Sequence, residues 1–154
     1  MDIDCDLRGA RDCDAEAISQ VIVPPLRETN AKDYPREVIE RLAQIFSPTA
    51  VPDMMGKRKV FVATSGQRIV GTASLDGRVV HAVFVAPDVQ CRGVGRLLMA
   101  EVERTARSTG TTTLVVQSSV TAAPFYRRLG FKAVRDHSYG EEHTIIMEQP
   151  LAAI

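Results

Sequence analysis

The sequence has no tryptophan, only three cysteines and no net formal charge. Cys5, Cys13 and Cys91 are too few and too irregularly spaced for a disulfide framework or a zinc site. No Lys/Arg block offers a phosphate backbone a footprint, so nothing points to nucleic acid. No apolar run is long enough to span a bilayer. The N-terminus, Met1-Asp2-Ile3-Asp4-Cys5-Asp6, is acidic rather than an apolar secretory signal. Internal repeats, low-complexity tracts, linkers and metal-ligand spacings are also missing. These absences point to a cytoplasmic chain with free thiols and no membrane or nucleic-acid partner. The 154 residues, 45% hydrophobic and 25% charged, suit one domain, 1–154, with a genuine core.

The residues present predict a mixed α/β order. A weak strand spans Ile3 to Arg8. A helix capped by Asp12 or Asp14 follows, with Ala15, Ile18, Val21 and Ile22 on one face, ended or bent by Pro24-Pro25. A second amphipathic helix follows Pro35, carrying Val38, Ile39, Leu42, Ala43 and Phe46, and stops near Ser47-Pro48. The period then changes to strands around Val60–Ala63, Arg68–Leu75 and Arg78–Val85. Asp76-Gly77 predicts a type I′ turn between the last two. After a helix ending at Gly110 comes a β-branched strand, Thr112 to Gln117. A short helix with Pro124 in its first turn and Gly130 as its C-cap follows. A final hairpin around Gly140 has Ile145-Ile146-Met147 at its centre.

The most informative stretch runs from Val83 to Leu98. Val83-Phe84-Val85 is a β run broken at Pro87. Gln90-Cys91-Arg92-Gly93-Val94-Gly95 is a loop, and Val94, Leu97, Leu98, Val102 and Ala106 then recur at helical spacing. In such a strand–turn–helix the first helical N–H groups lack intrahelical partners and carry the positive end of the dipole, which suits a phosphate. Gly93 and Gly95 allow close approach, and Arg92 and Arg96 add charge. A dinucleotide fingerprint fails at Leu98 and lacks its later acidic residue, and no Gly-Lys-Ser/Thr follows the glycines as a P-loop requires.

Gln90 to Gly95 fits Gln/Arg-x-x-Gly-x-Gly/Ala, and the chain here resembles the pyrophosphate loop of the GNAT-type N-acetyltransferases. Ala123-Pro124-Phe125-Tyr126-Arg127-Arg128-Leu129-Gly130-Phe131 resembles that family's second signature, a tyrosine-bearing helix ending in Leu-Gly-Phe. The resemblance covers roughly Val60 to the C-terminus. It implies a GNAT-like α/β (α+β) fold: a mixed, mainly antiparallel twisted sheet with splayed central strands flanked by helices. It further implies transfer from acetyl-CoA, without a metal, to an amine on a small molecule or peptide, directly in a ternary complex.

On that resemblance, Val83, Phe84 and Val85 bind the pantetheine arm through their main chain. Gln90, Cys91, Arg92, Gly93, Val94, Gly95 and Arg96 hold the pyrophosphate, while Ser118, Ser119 and Phe125 complete the coenzyme site. Tyr126 resembles the tyrosine that protonates the departing sulfur. The glutamates that many members use as base have no counterpart, since those positions fall near Val79 and near Val116 or Gln117. His81, on the same strand face as Val79 and Val83 if alternation is regular, is one candidate base; a water chain bounded by Ser118 is another. His137 and His143 rank below it. Glu28, Asn30 and Tyr34 are candidate acceptor contacts in the region of the two early helices, and Asp33 and Glu37 add acidity there. Edge strands of such sheets often pair, which is compatible with a homodimer. A non-catalytic acyl-CoA-binding or regulatory module is the alternative reading, favoured by the missing glutamates and opposed by Tyr126.

Overall fold

The computed structural model describes residues 3–28, 32–139 and 142–151, side chains 137–139 and 142–143 excepted. Its strands are β1 (Asp6–Gly9), β2 (Lys59–Ser65), β3 (Arg68–Asp76), β4 (Val79–Val85), β5 (Thr113–Ser118), β6 (Lys132–Tyr139) and β7 (Glu142–Pro150). They form one sheet in the order β1-β2-β3-β4-β5-β7-β6. All neighbours are antiparallel except β4 and β5, which run parallel. The helices are α1 (Ala15–Glu28), α2 (Arg36–Ile45), α3 (Val51–Lys57), α4 (Val94–Ser108) and α5 (Ala123–Arg128).

Two apolar cores lie against this sheet. One joins α4 and α5 to Val70, Ala73, Val80, Leu114, Val116 and Met147. The other joins α1, α2 and α3 to Val60, Val62 and Ile69. The expected α/β sheet with splayed central strands is therefore present, with several local corrections. α1 continues through Pro24 and Pro25 to Glu28. A proline removes one backbone donor, but burial of Pro25 and Leu26 offsets that loss. The short helix α3, anchored by buried Val51 and Met54, had no clear periodic signal. In α4, Met99 is fully buried whereas Leu97 is 38% exposed, so the apolar stripe is rotated from the predicted one.

The β3–β4 turn also differs. Asp76 pairs with Val79, leaving Gly77 and Arg78 as the two loop residues. Gly77 has φ +61° and neither Asp76 nor Arg78 has a positive φ, so this is not the predicted type I′ turn, which needs two.

Candidate active site

β4 and β5 are in register at only two positions, Val79 with Val115 and Val80 with Val116. Beyond them β5 remains paired with β7 through Ser118, while β4 follows β3 through Val85. The two parallel strands thus separate toward their C-terminal ends. Between Ser74↔His81 and Thr72↔Phe84, β4 spends one residue more than β3. This is a β-bulge, with Ala82 held at φ +53°, a conformation that costs a non-glycine residue about 1–2 kcal/mol.

The bulge reverses the face alternation. Before it, Val80 belongs to the α4/α5 core; after it, Val83 and Val85 pack on that core, while Ala82 and Phe84 pack on the α1–α3 core. His81 therefore does not share a face with Val83, contrary to the regular alternation assumed from sequence. Burial and the nearby Arg58 cation push its pKa below the ordinary histidine value.

A cleft of about 330 Å³ opens where the strands part. Val83, Phe84 and Val85 line one side, Gln117, Ser118 and Ser119 the other, and Tyr126 and Gln90 also contribute. His81 is not a lining residue. Ser118 Oγ donates to the Ser119 carbonyl at 2.8 Å, and Ser119 Oγ accepts from the Ala122 N–H at 3.1 Å. Both hydroxyls therefore help shape the entry to α5. The Val85 carbonyl, one of the main-chain groups that the resemblance gives to the pantetheine arm, accepts from Gln90 Nε2 at 3.2 Å.

The loop at the mouth of the cleft is held in an unusual backbone shape. Cys91 has φ +64° and Gly93 φ +86°, and the Ile3 N–H donates to the Arg92 carbonyl at 3.2 Å. Gly93 is the N-cap of α4, where no side chain provides a cap and no acidic residue occupies the first turn. Arg92 and Arg96 are exposed beside it. Gly95 has a packing role that the motif alone did not reveal. A Cβ there would lie 3.0 Å from two carbons of the Phe125 ring, so Phe125 seats α5 against the first turn of α4.

Tyr126 is 6% exposed and stands edge-on between Phe125 and Phe131, with ring centroids 5.1 and 5.5 Å away. The end of α5 fixes this cluster. The Phe131 N–H donates to the Tyr126 carbonyl and the Gly130 N–H to that of Arg127, a Schellman-type ending made possible by Gly130 at φ +106°. Burial pushes the phenol pKa above its ordinary value, so the hydroxyl stays protonated at neutral pH.

The α1–α3 side of the cleft is formed by Pro25, Leu26, Tyr34, Leu42 and Phe46. Tyr34, a candidate acceptor contact from the sequence, is among the lining residues. Glu28 is exposed and does not line the cleft, Glu37 does not either, and Asn30 lies outside the described residues, as do the side chains of His137 and His143. Asp33 accepts from the Thr121 N–H at 3.3 Å, linking the α1–α2 connection to the β5–α5 loop. Gln117, near a position where the resemblance puts a glutamate, and Thr144 also line the cleft; the only signal for Thr144 was its position on the neighbouring strand. Among the described lining residues there is no carboxylate, imidazole or lysine.

Residues 30–147 match the family model described as an acetyltransferase (GNAT) domain. An uncharacterized N-acetyltransferase of Escherichia coli is 26% identical over 129 residues, covering 84% of this chain and 82% of the relative. A GCN5-related N-acetyltransferase from Rhodopseudomonas palustris has a similar crystal structure, with a TM-score of 0.87, 26% identity and 98% of each chain covered. An N-acetyltransferase from Thermoplasma acidophilum, solved in complex with coenzyme A, superposes with a TM-score of 0.82 at 18% identity, covering 96% of this chain and 99% of that one.

Proposed function

The chain belongs to the GNAT acetyltransferase family, and from that premise we propose that it transfers an acetyl group from acetyl-CoA directly to a primary amine within a ternary complex. The observation that carries this reading is the parting of β4 and β5 after Val80 and Val116. A parted pair leaves main-chain groups able to take an extended ligand as though it were a strand. The start of α4, which has no side-chain cap, follows Gln90 at the mouth of the same opening, and the amides and dipole of a helix N-terminus suit a diphosphate. The residues present fit the coenzyme: loop 90–96 for the diphosphate, and the facing edges of Val83–Val85 and Gln117–Ser119 for its arm.

The reaction forms a C–N bond and breaks a C–S bond, so a proton must leave the amine and the thiolate must be stabilised. Tyr126 is our proposed donor to the sulfur. With its pKa raised by burial, it remains a hydrogen-bond donor throughout the neutral range. Because the described cleft walls carry no base, the reactive amine enters neutral or passes its proton to water. The cytoplasmic setting read from the sequence belongs to the same proposal.

Calorimetry with acetyl-CoA, followed by coenzyme A release across an amine panel, tests the reading. Binding with acceptor-dependent thiol release is expected. Failure to bind acetyl-CoA overturns it.

A further inference from the structure

The acceptor side of the cleft has a composition that selects among amines. We infer that the acceptor is a monoamine carried on a hydrocarbon body, alkyl or arylalkyl, rather than a polyamine or an amino sugar phosphate. This inference rests on the transferase reading above and concerns the same cleft. Pro25 and Leu26 from the last turns of α1, Tyr34, Leu42 from α2, and Phe46 just beyond it form a mainly apolar wall with Phe84 of β4. Phe46 and Phe84 meet edge to face, with centroids 6.4 Å apart, so the wall has a fixed aromatic corner. The side chains opposite, Gln117 and Thr144, are neutral.

Among the described residues lining the cleft there is no carboxylate to receive a second ammonium on the acceptor, and an uncompensated charge in an apolar site is strongly disfavoured. The nearby acidic residues do not repair this: Glu28 and Glu37 do not line the cleft, and Asp33 faces the Thr121 N–H. A sugar phosphate is disfavoured for the complementary reason, since no lysine or arginine lines the described walls. A hydrocarbon stem meets no such penalty and gains contact with Leu42, Phe46 and Phe84. The 330 Å³ of the cleft is at the small end for ligand sites and is shared with the acetyl-pantetheine arm, which also favours a compact acceptor. A free amine and the side chain of a peptidyl lysine share this stem chemistry.

The test measures acetyl-CoA binding by calorimetry, then kcat/KM for hexylamine, phenethylamine, a lysine blocked at both termini, spermidine and glucosamine 6-phosphate, each scaled to its neutral-amine fraction. The two hydrocarbon monoamines should exceed spermidine and glucosamine 6-phosphate by about 10²-fold, the range that a mismatched pocket contact gives. A blocked lysine matching hexylamine supports the same stem chemistry supplied by a peptide. Spermidine or the sugar phosphate equalling the monoamines, or no turnover of any monoamine despite acetyl-CoA binding, overturns the inference. Absence of acetyl-CoA binding instead overturns the transferase reading itself. In the variant Leu42→Glu, the spermidine-to-hexylamine ratio should rise at least about tenfold as a counter-charge enters the wall. An unchanged ratio in a folded variant contradicts placement of the acceptor there.

Discussion

Gly71 in β3 and Val94 in the first turn of α4 are so close that a Cβ on Gly71 would come within 2.8 Å of Val94 Cγ1 and 3.3 Å of the Phe84 carbonyl oxygen. This contact seats the start of α4, and therefore the loop before it, directly on the sheet. Gly71→Ala should cost about 1–3 kcal/mol by overpacking, because neither a β-branched side chain nor the backbone oxygen yields easily. Thermal unfolding should show a lower midpoint. Calorimetry should show weaker acetyl-CoA binding, since the amides at the head of α4 move with Val94.

Tyr126→Phe keeps the ring that packs between Phe125 and Phe131 and removes only the hydroxyl. Under the proposed role, kcat falls by roughly 10²-fold or more, with the acetyl-CoA dissociation constant little changed. Full activity in this variant removes Tyr126 from the chemistry.

The pH profile follows from the groups lining the cleft. A primary amine with an unperturbed pKa near 10.4 supplies its own titration. kcat/KM should therefore rise with pH toward the acceptor's pKa, and acceptors of lower pKa should shift the rise downward by the same amount. His81→Gln should leave the acidic limb unchanged, because His81 does not line the cleft. Loss of an acidic limb in that variant, lying below the ordinary histidine range as the lowered pKa of His81 requires, would restore His81 as the base.

Asp14 gives a stability test away from the chemistry. Its carboxylate accepts from Arg8 Nη1 and Nη2 at 2.7 and 3.1 Å and from the Arg11 N–H at 2.7 Å. The hydrogen bond from the Arg8 guanidinium is the main reason its pKa lies below the ordinary aspartate value. A lowered folded-state pKa stabilises the fold above the ordinary value near 3.9, and that contribution is lost as pH falls through the folded value. Asp14→Asn should cost about 1–3 kcal/mol at pH 7. Its melting temperature should fall less than the wild type's as the pH is lowered from 5 to 3.

The parts legible in the sequence are those fixed by local chemistry. Gly93 at positive φ, Pro124 in a first turn and Gly130 past a helix end each mark a backbone shape that few other residues accept. The strand–loop–helix around Val83–Leu98 and the position of Tyr126 could be read from them. The rest depends on tertiary packing. No local signal marks Ala82 for a left-handed bulge, yet that one residue changes which face Val83 presents and upsets the inference about His81. Pro24-Pro25 reads as a helix end or bend, but burial of Pro25 and Leu26 carries α1 onward to Glu28 and brings Pro25 and Leu26 to the cleft. Gly95 looked like room for an anion, and the structure gives it a second duty beneath Phe125.

Coenzyme binding as proposed depends most on the main-chain amides of residues 91–96. Amide resonances of ¹⁵N-labelled protein titrated with acetyl-CoA, and in parallel with acetyl-pantetheine lacking the diphosphate, test it most directly. Large shifts are expected at Gly93, Val94, Gly95 and Arg96 with acetyl-CoA only, and binding of the truncated thioester should be weaker by about 10²-fold or more, as when several charge-assisted hydrogen bonds are lost. Unshifted amides at these positions, or equal affinity for the two thioesters, would contradict it.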